Sequence, residues 1–207
     1  MARIQTYQRD SVINVEDKLL GTDADNQNQT KNYRIIDIVG LLPSYDPVLS
    51  GSSSVNQVPS GLGVPLQVTF GPAQNDENDH AMLSASGVIT INTAGSYIFH
   101  GFGNFEKTQS GNTSVILFRS LIDGVQAGIS KCVHIKDGGD SIPYEVTLPI
   151  TAYAGMQITW QIARDPSGTN SGQLSVHNTT VAGWTNVPSA SFDLYRLTGY
   201  QGNDGAI

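Results

Sequence analysis

Charged residues are scarce in this sequence. Asp, Glu, Lys and Arg together make up 14% of the 207 residues, against roughly 25% in ordinary soluble domains. Gly, Ser, Thr, Asn and Gln take their place, and these residues suit short strands and turns better than long helices. The composition therefore favours an all-β protein.

Basic blocks and long apolar runs are also missing. The formal net charge is −7 and no cluster of Lys or Arg occurs, whereas a nucleic-acid-binding protein needs concentrated positive charge to displace counterions. A basic amphipathic helix that could lie on a membrane surface is absent too. No apolar stretch reaches the roughly 20 residues of a transmembrane helix. We expect neither nucleic acid nor a membrane as a partner.

Cysteine is nearly absent, since Cys132 is the single one and no disulfide can form within the chain. It lies in the alternating stretch 129–135, where a small strand residue is favoured over a nucleophile. The first ten residues lack the apolar run of a secretion signal. We therefore expect the protein to be made and assembled in a cytoplasm.

Residues 1–42 differ in composition from the rest and are expected to form an N-terminal anchoring arm. Asp, Asn and Gln are abundant in residues 10–29, and an apolar cluster follows. Its apolar residues recur at spacings of three and four, which predicts a short helix with Thr30 as N-cap and Pro43 after its end. One apolar stripe on a short helix needs a surface to dock on. The candidate anchoring residues are Tyr33, Ile35, Ile38, Val39 and Leu42.

Residues 43–64 combine prolines with a Ser/Gly-rich run, residues 50–54. This mixture of stiff and flexible residues predicts a linker with little to pack. The remaining residues, 65–207, are predicted to form the main domain.

Alternation of apolar and polar residues dominates the main domain. In residues 142–150 and 156–162 every second residue is apolar, which places one strand face on a core and the other in water. Pro143 and Pro149 fall on the polar side and indicate an edge strand or strand ends. Further strands are predicted at 66–70, 88–92, 97–105, 115–122, 125–135, 174–178 and 191–197.

Turn residues separate these strands. Asp123-Gly124 predicts a tight hairpin, and Gly101 and Gly103 within a strand indicate a bulge or a close backbone approach. Eight or nine short strands without an intervening helix predict an antiparallel β-sandwich or jelly roll. The fold class is therefore all-β, an antiparallel jelly roll preceded by an extended arm with one short helix.

Three fragments in order resemble the TNF-like jelly roll shared with the globular domain of complement proteins. They are GVITINTAGSYIF (residues 87–99), ILFRSLIDGV (116–125) and ASFDLYRL (190–197). The resemblance covers about residues 65–200. It implies a homotrimer, because TNF-like domains of this sort usually assemble as trimers.

The stretch KLLGTDADNQNQTKNY (residues 18–33) is similar to the leader segments of tailed-bacteriophage appendage proteins, including fibres and head-surface proteins. This resemblance implies a structural virion protein, assembled in the host cytoplasm. Its arm would bind other virion proteins of the capsid or tail. Fibre or receptor-binding component and head decoration both fit, and a cellular lectin-like or cytokine-like binding module is the alternative.

A subunit interface is predicted on the strand 97–105, because both of its faces are apolar. One face could line the core and the other contact a second subunit, or both could be covered within one sandwich. The residues assigned to the trimer interface are Tyr97, Phe99, Phe102 and Tyr195.

Residues with catalytic or ligand-binding potential are scattered. The four histidines, His80, His100, His134 and His177, show no zinc-like spacing, although a jelly-roll enzyme dependent on His100 or His134 is a third possible class. The acidic loop 74–80 offers oxygen atoms to calcium, but a solvated connection is favoured. We expect no enzyme, no cofactor and no metal. The polar loops 108–113 and 165–172 suit a host-surface glycan, and solvent exposure explains them equally well.

Overall fold

The computed structural model describes residues 18–23, 29–34, 44–76 and 79–198. The regular structure within these ranges is β throughout, and no helix there is long and apolar enough to cross a membrane. The chain divides into two compact units, one of residues 1–44 with 198–207 and one of residues Tyr45–Leu197.

In the first unit, strands β1 (Lys18–Asp23) and β2 (Gln29–Arg34) pair antiparallel. This pairing corrects the prediction that Thr30 is a helix N-cap, since Thr30 lies opposite Thr22 within the ladder. The β2 sequence, Gln-Thr-Lys-Asn-Tyr-Arg, is polar. It has no apolar stripe at helical spacing that would favour a helix over strand pairing. Tyr33 belongs to β2, and the remainder of the predicted helix, residues 35–42, lies outside the described residues.

Twelve further strands follow in chain order. They are β3 (Ser44–Ser53), β4 (Leu66–Gln67), β5 (Ala73–Asp76), β6 (Ala81–Leu83), β7 (Ile89–Ile91), β8 (Gly95–Lys107), β9 (Ser114–Ile122), β10 (Val125–Ile135), β11 (Ser141–Ala152), β12 (Gln157–Arg164), β13 (Gly172–Leu174) and β14 (Ala190–Thr198). They form two six-stranded sheets. The first has the order β11-β8-β14-β3-β5 with β13 paired to β8, and the second has the order β10-β9-β12-β7-β6 with β4 paired to β12. The predicted antiparallel β-sandwich jelly roll is confirmed.

An aromatic cluster fills the space between the two sheets. Phe192 of the first sheet packs against Phe70, with ring centroids 4.8 Å apart, and Phe105 of the same sheet packs against Phe118 of the second at 5.3 Å. Trp160 of β12 contacts both Phe70 and Phe118. Rings at these separations add attraction beyond the burial of their area. This cluster joins the sheets into one core.

β3 corrects the prediction of a linker, because residues 44–53 form a ten-residue strand within the first sheet. Val48 and Leu49 belong to the core cluster. Gly51 faces the core as well, since a Cβ atom there would come within 3.0 Å of Leu83 and Phe192. A strand of Ser, Gly and Pro is thus held by its neighbours, although its own composition favours a loop.

The alternating segments were predicted correctly. In β11 the five residues Ile142, Tyr144, Val146, Leu148 and Ile150 face inward, while the residues between them are exposed. β12 alternates in the same way. Pro143 and Pro149 lie on β11, which is the outermost strand of its sheet, so the prediction of an edge strand is confirmed.

Gly101 and Gly103 of β8 are close-approach positions. The ladder to β11 runs through both without a break, so no bulge forms there. A Cβ atom at Gly101 would lie 2.8 Å from the Phe99 ring, and one at Gly103 would lie 3.1 Å from Trp160. The two glycines leave space for the aromatic cluster.

The β9–β10 hairpin contains the predicted Asp-Gly turn. Asp123 and Gly124 have φ angles of 49° and 78°, as a two-residue type I′ turn requires. The Asp123 carboxylate accepts hydrogen bonds from the Tyr153 hydroxyl and from the Gln157 backbone N–H. These two bonds lower the pKa of Asp123, the Tyr153 bond contributing most.

Asp123→Asn is expected to make the stability of the domain less sensitive to acid. Because the folded-state pKa of Asp123 is lowered, its stabilising effect is present above the ordinary Asp pKa of about 3.9 and is lost as the pH falls through the folded value. The wild-type thermal midpoint should therefore fall more steeply below about pH 4 than that of the variant. Tyr153→Phe should fall between the two. If the thermal midpoints of all three proteins fell equally with pH, the stabilising role of the Asp123 carboxylate would be contradicted.

Arg164 ties three segments together from a buried position, with 6% of its surface exposed. Its Nε donates to the Gly172 carbonyl at 2.6 Å, and its Nη1 donates to the Pro59 carbonyl at 2.9 Å and to Asn170 Oδ1 at 2.7 Å. Burial lowers its pKa. Removing the guanidinium leaves these buried acceptors without their donor, which is costly.

Arg164→Met should lower the free energy of unfolding by about 3 kcal/mol, because hydrogen bonds to charged groups contribute about 1.5–3 kcal/mol each and the loss is only partly relieved by water. Urea denaturation measures it. The matched control is Arg119→Met. The Arg119 guanidinium donates to the side chains of Gln161 and Gln126 from a partly exposed position, and its loss should cost below about 1 kcal/mol. Equal costs for the two variants would show that Arg164 does not hold these segments.

Candidate subunit interface on the outer sheet face

The side chains of β8 alternate between the core and the opposite side of the first sheet. Tyr97, Phe99 and Phe105 belong to the core, and each is at most 1% exposed. Ile98 and Phe102 point the other way and are half-buried. Because neighbouring strand residues face opposite sides, filling the core with one set forces the second set outward.

Neighbouring strands extend this second set into a continuous surface. Residues directly opposite each other in an antiparallel pair share a face, and the register places Ile98 between Pro149 and Tyr195, His100 between Thr147 and Asp193, and Phe102 between Glu145 and Ser191. We call these nine residues the outer face. It has an apolar row beside Ile98, a titratable row at His100, and a mixed row at Phe102.

Two acidic side chains lie beside His100 on the outer face. His100 Nε2 lies 3.6 Å from Glu145 Oε2, and Asp193 is its direct cross-strand neighbour. The His100 side chain is 39% exposed and that of Glu145 is 67% exposed. Water therefore screens this pair, and it contributes little to the stability of a single protomer.

Two of the four residues assigned to the trimer interface are core residues. Tyr97 and Phe99 are enclosed within one protomer, so their side chains cannot contact another subunit without unfolding the sandwich. The Tyr97 hydroxyl donates to the Thr93 carbonyl at 2.6 Å, and burial raises its pKa while the Arg196 guanidinium opposes that rise. Phe102 and Tyr195 lie on the outer face and remain interface candidates.

Cys132 lies on β10 as predicted, and its side chain is exposed. Its sulfur is 3.5 Å from His134 Nε2, a contact that the two-residue spacing along a strand produces. The sequence interpretation missed this Cys–His contact, which the spacing 132/134 could have indicated.

Asp165 is affected by the same histidine. Hydrogen bonds from Ser167 lower the pKa of Asp165, and the His134 imidazole adds to this effect.

The histidines and the acidic loop are the candidates for metal binding. Among the described residues, no three His, Cys, Asp or Glu side chains are grouped so that they could hold an ion. Strand β5 extends into the acidic loop 74–80, the calcium candidate, as far as Asp76, and residues 77 and 78 of that loop lie outside the described ranges.

Two cavities include Arg119 in their lining. One, of about 170 Å³, is lined by Pro65, Leu117 and Ile162 among others. The other, of about 200 Å³, reaches Ile129 and Val146. Both volumes are below the 300–1,000 Å³ of ordinary small-molecule sites.

The solved structures to which this chain is similar include two globular domains. The globular domain of zebrafish complement 1qA protein aligns with a TM-score of 0.44 and 15% identity, covering 72% of this chain and 95% of that one. Eiger TNF from S. frugiperda aligns with a TM-score of 0.47 and 8% identity, covering 74% and 93%. No protein-family model matches the sequence, and no curated protein matches it.

Phe99→Ala and Phe102→Ala should differ in stability, because the two side chains lie on opposite faces of β8. Phe99→Ala empties a core position and should lower the free energy of unfolding by about 3–5 kcal/mol. Phe102→Ala removes a half-exposed ring and should cost a dilute protomer about 1 kcal/mol or less. Chemical denaturation at low protein concentration measures both. A cost for Phe102→Ala as large as that for Phe99→Ala would place Phe102 in the core.

Proposed function

We propose that this chain is a structural, non-enzymatic virion protein of a tailed phage. In this proposal three copies of the jelly-roll domain associate through their outer faces, and the N-terminal arm fixes the trimer to the particle. Its work is mechanical and adhesive. The observation that carries the trimer is the outer face, where apolar side chains lie on the side of the first sheet opposite the core.

The outer face has the composition of an association surface. Ile98, Phe102 and Tyr195 supply apolar and aromatic groups, which are enriched at the centres of subunit interfaces. All three are half-buried in one protomer, so a partner would complete their removal from water. The charged and polar residues on the same face would fix orientation.

The virion setting is supported by the leader segment. Residues 18–33 resemble the leaders of phage appendage proteins, and part of this stretch forms the β1–β2 hairpin. Leu19 in this hairpin is 50% exposed, an apolar contact point available to another protein. Of the candidate anchoring residues, Tyr33 lies in β2, and the other four lie outside the described residues: Ile35, Ile38, Val39 and Leu42.

A cellular cytokine-like or lectin-like binding module is the second candidate. The outer face supports it equally, because a trimer of display domains serves either setting. The two candidates differ in where the protein is found. Antibody labelling of purified particles should mark the capsid or the tail if the virion proposal holds. Particles that stay unlabelled would contradict the virion proposal and favour the cellular binding module.

Phe102→Glu should convert the trimer to single protomers without unfolding them. A carboxylate at the centre of the outer face must be desolvated on association, and Glu145 is already its cross-strand neighbour, so repulsion and desolvation both oppose assembly. Sedimentation equilibrium of the wild type should give three times the mass of one chain.

The matched control is Ile129→Glu, which places the same charge on an exposed position of β10 and should leave the mass unchanged. A wild type that sediments as one chain would refute the trimer. Deleting residues 1–42 should abolish binding to particles, while the truncated protein should still sediment with the mass of three truncated chains. Retained particle binding would refute the role of the arm.

A further inference from the structure

The connection between β13 and β14, residues 175–189, presents a tryptophan to solvent. Trp184 is 76% exposed, although tryptophan is among the most buried residues on average. Val181 and Val187 beside it are exposed as well. We call residues 175–189 the Trp184 loop.

Hydrogen bonds give this loop a fixed shape. At its neck His177 and Val187 exchange two backbone hydrogen bonds of 3.1 and 3.0 Å. Above the neck, Asn186 Oδ1 accepts from the Thr179 N–H at 3.1 Å, and Asn186 Nδ2 donates to Asn178 Oδ1 at 2.9 Å. An exposed aromatic on an ordered loop binds at lower entropic cost than one on a loop that must be ordered first.

A tight turn positions the indole at the tip. The backbone N–H of Trp184 donates to the Val181 carbonyl at 3.2 Å. Gly183, between these two residues, has a φ angle of +83°. A positive φ at the third residue of such a turn is the type II pattern and requires glycine. Glycine at position 183 therefore allows the tight turn that precedes Trp184.

The chain segments that form the Trp184 loop and its base carry no formal charge. Residues 166–192 contain no Asp, Glu, Lys or Arg, and neither do residues 47–75. The two segments meet beneath the loop, where Asn56 Oδ1 accepts from the Val176 N–H at 2.8 Å and Ser189 Oγ donates to the Val55 carbonyl at 2.6 Å. In a chain of net charge −7, this end of the domain presents hydroxyls, amides and apolar groups instead.

From this arrangement we propose that the Trp184 loop binds a neutral saccharide, with one sugar ring stacked on the indole of Trp184. The negative face of an aromatic ring attracts the positively polarised C–H groups of a sugar. Amide and hydroxyl side chains of the same loop, among them Thr180 and Thr185, match sugar hydroxyls as donors and acceptors. The site lies within one protomer and does not depend on the trimer of the proposed function.

A second protein is a poorer match for this surface. A stable protein contact buries about 800 Å² on each partner, whereas a tryptophan side chain supplies about 150–250 Å². Charged rim residues, which orient protein partners, are absent from residues 166–192. One sugar unit, by contrast, is about the size of the indole platform.

The test uses the full chain and a printed array of neutral oligosaccharides, covering hexoses, 6-deoxyhexoses and N-acetylhexosamines in both anomeric linkages, with heparin and polysialic acid as charged probes. We expect a neutral probe to bind. Trp184→Ala should then weaken binding at least about tenfold, as truncation of an aromatic anchor does, and Trp184→Phe should retain part of it. Gly183→Ala keeps the indole but strains the turn, so it should also weaken binding.

Ile129→Ala is the matched control, since Ile129 is 78% exposed on β10 and its loss should leave binding unchanged. Binding of a neutral probe should also protect tryptophan emission from iodide, because Trp160, the second tryptophan, is 1% exposed and already shielded. Four outcomes would overturn the proposal: no neutral probe bound, binding of charged probes only, equal binding by Trp184→Ala, or a fall in solution mass with Trp184→Ala, which would make the loop a subunit contact. A wild type that is monomeric yet binds the neutral probe would sink the trimer and leave this site standing.

Discussion

The two-residue period of β8 is the constraint on which the rest of the domain depends. β8 pairs with β11, β13 and β14, so its orientation sets the orientation of most of the first sheet. With Tyr97, Phe99 and Phe105 committed to the aromatic cluster, the residues between them must face away from the second sheet. The same alternation that builds the core therefore produces the outer face, and a shift of one residue in register would exchange them.

The strands that could be predicted from the sequence are those whose own residues alternate between apolar and polar types. β11 and β12 alternate apolar and polar positions because one face is buried and the other is wet, and Asp123-Gly124 supplies the turn that its hairpin needs. β3 could not be found in this way. Gly51 must be small because Phe192 and Leu83 come close to it, and that closeness exists only once the chain has folded.

The candidate surfaces divide along the same line. Sequence alternation identified both faces of β8 as apolar, but it could not say which one lines the core, so Tyr97 and Phe99 were assigned together with Phe102. The Trp184 loop was missed entirely, because Val-Ala-Gly-Trp reads locally like part of a buried segment. Its exposure follows from the neck at His177 and Val187, a contact between residues that only the folded chain brings together.

The edges of the sheets limit the kinds of polymer that this protein can form. β11, at one edge, carries Pro143 and Pro149, which have no N–H to offer an incoming strand. β10, at the edge of the other sheet, is broken by a register shift between Ala127 and Lys131, and bulges of this kind also deter edge-to-edge pairing. Open-ended growth by strand addition is thereby disfavoured at both of these edges. A contact between copies through the outer face, by contrast, would join chains without extending either sheet.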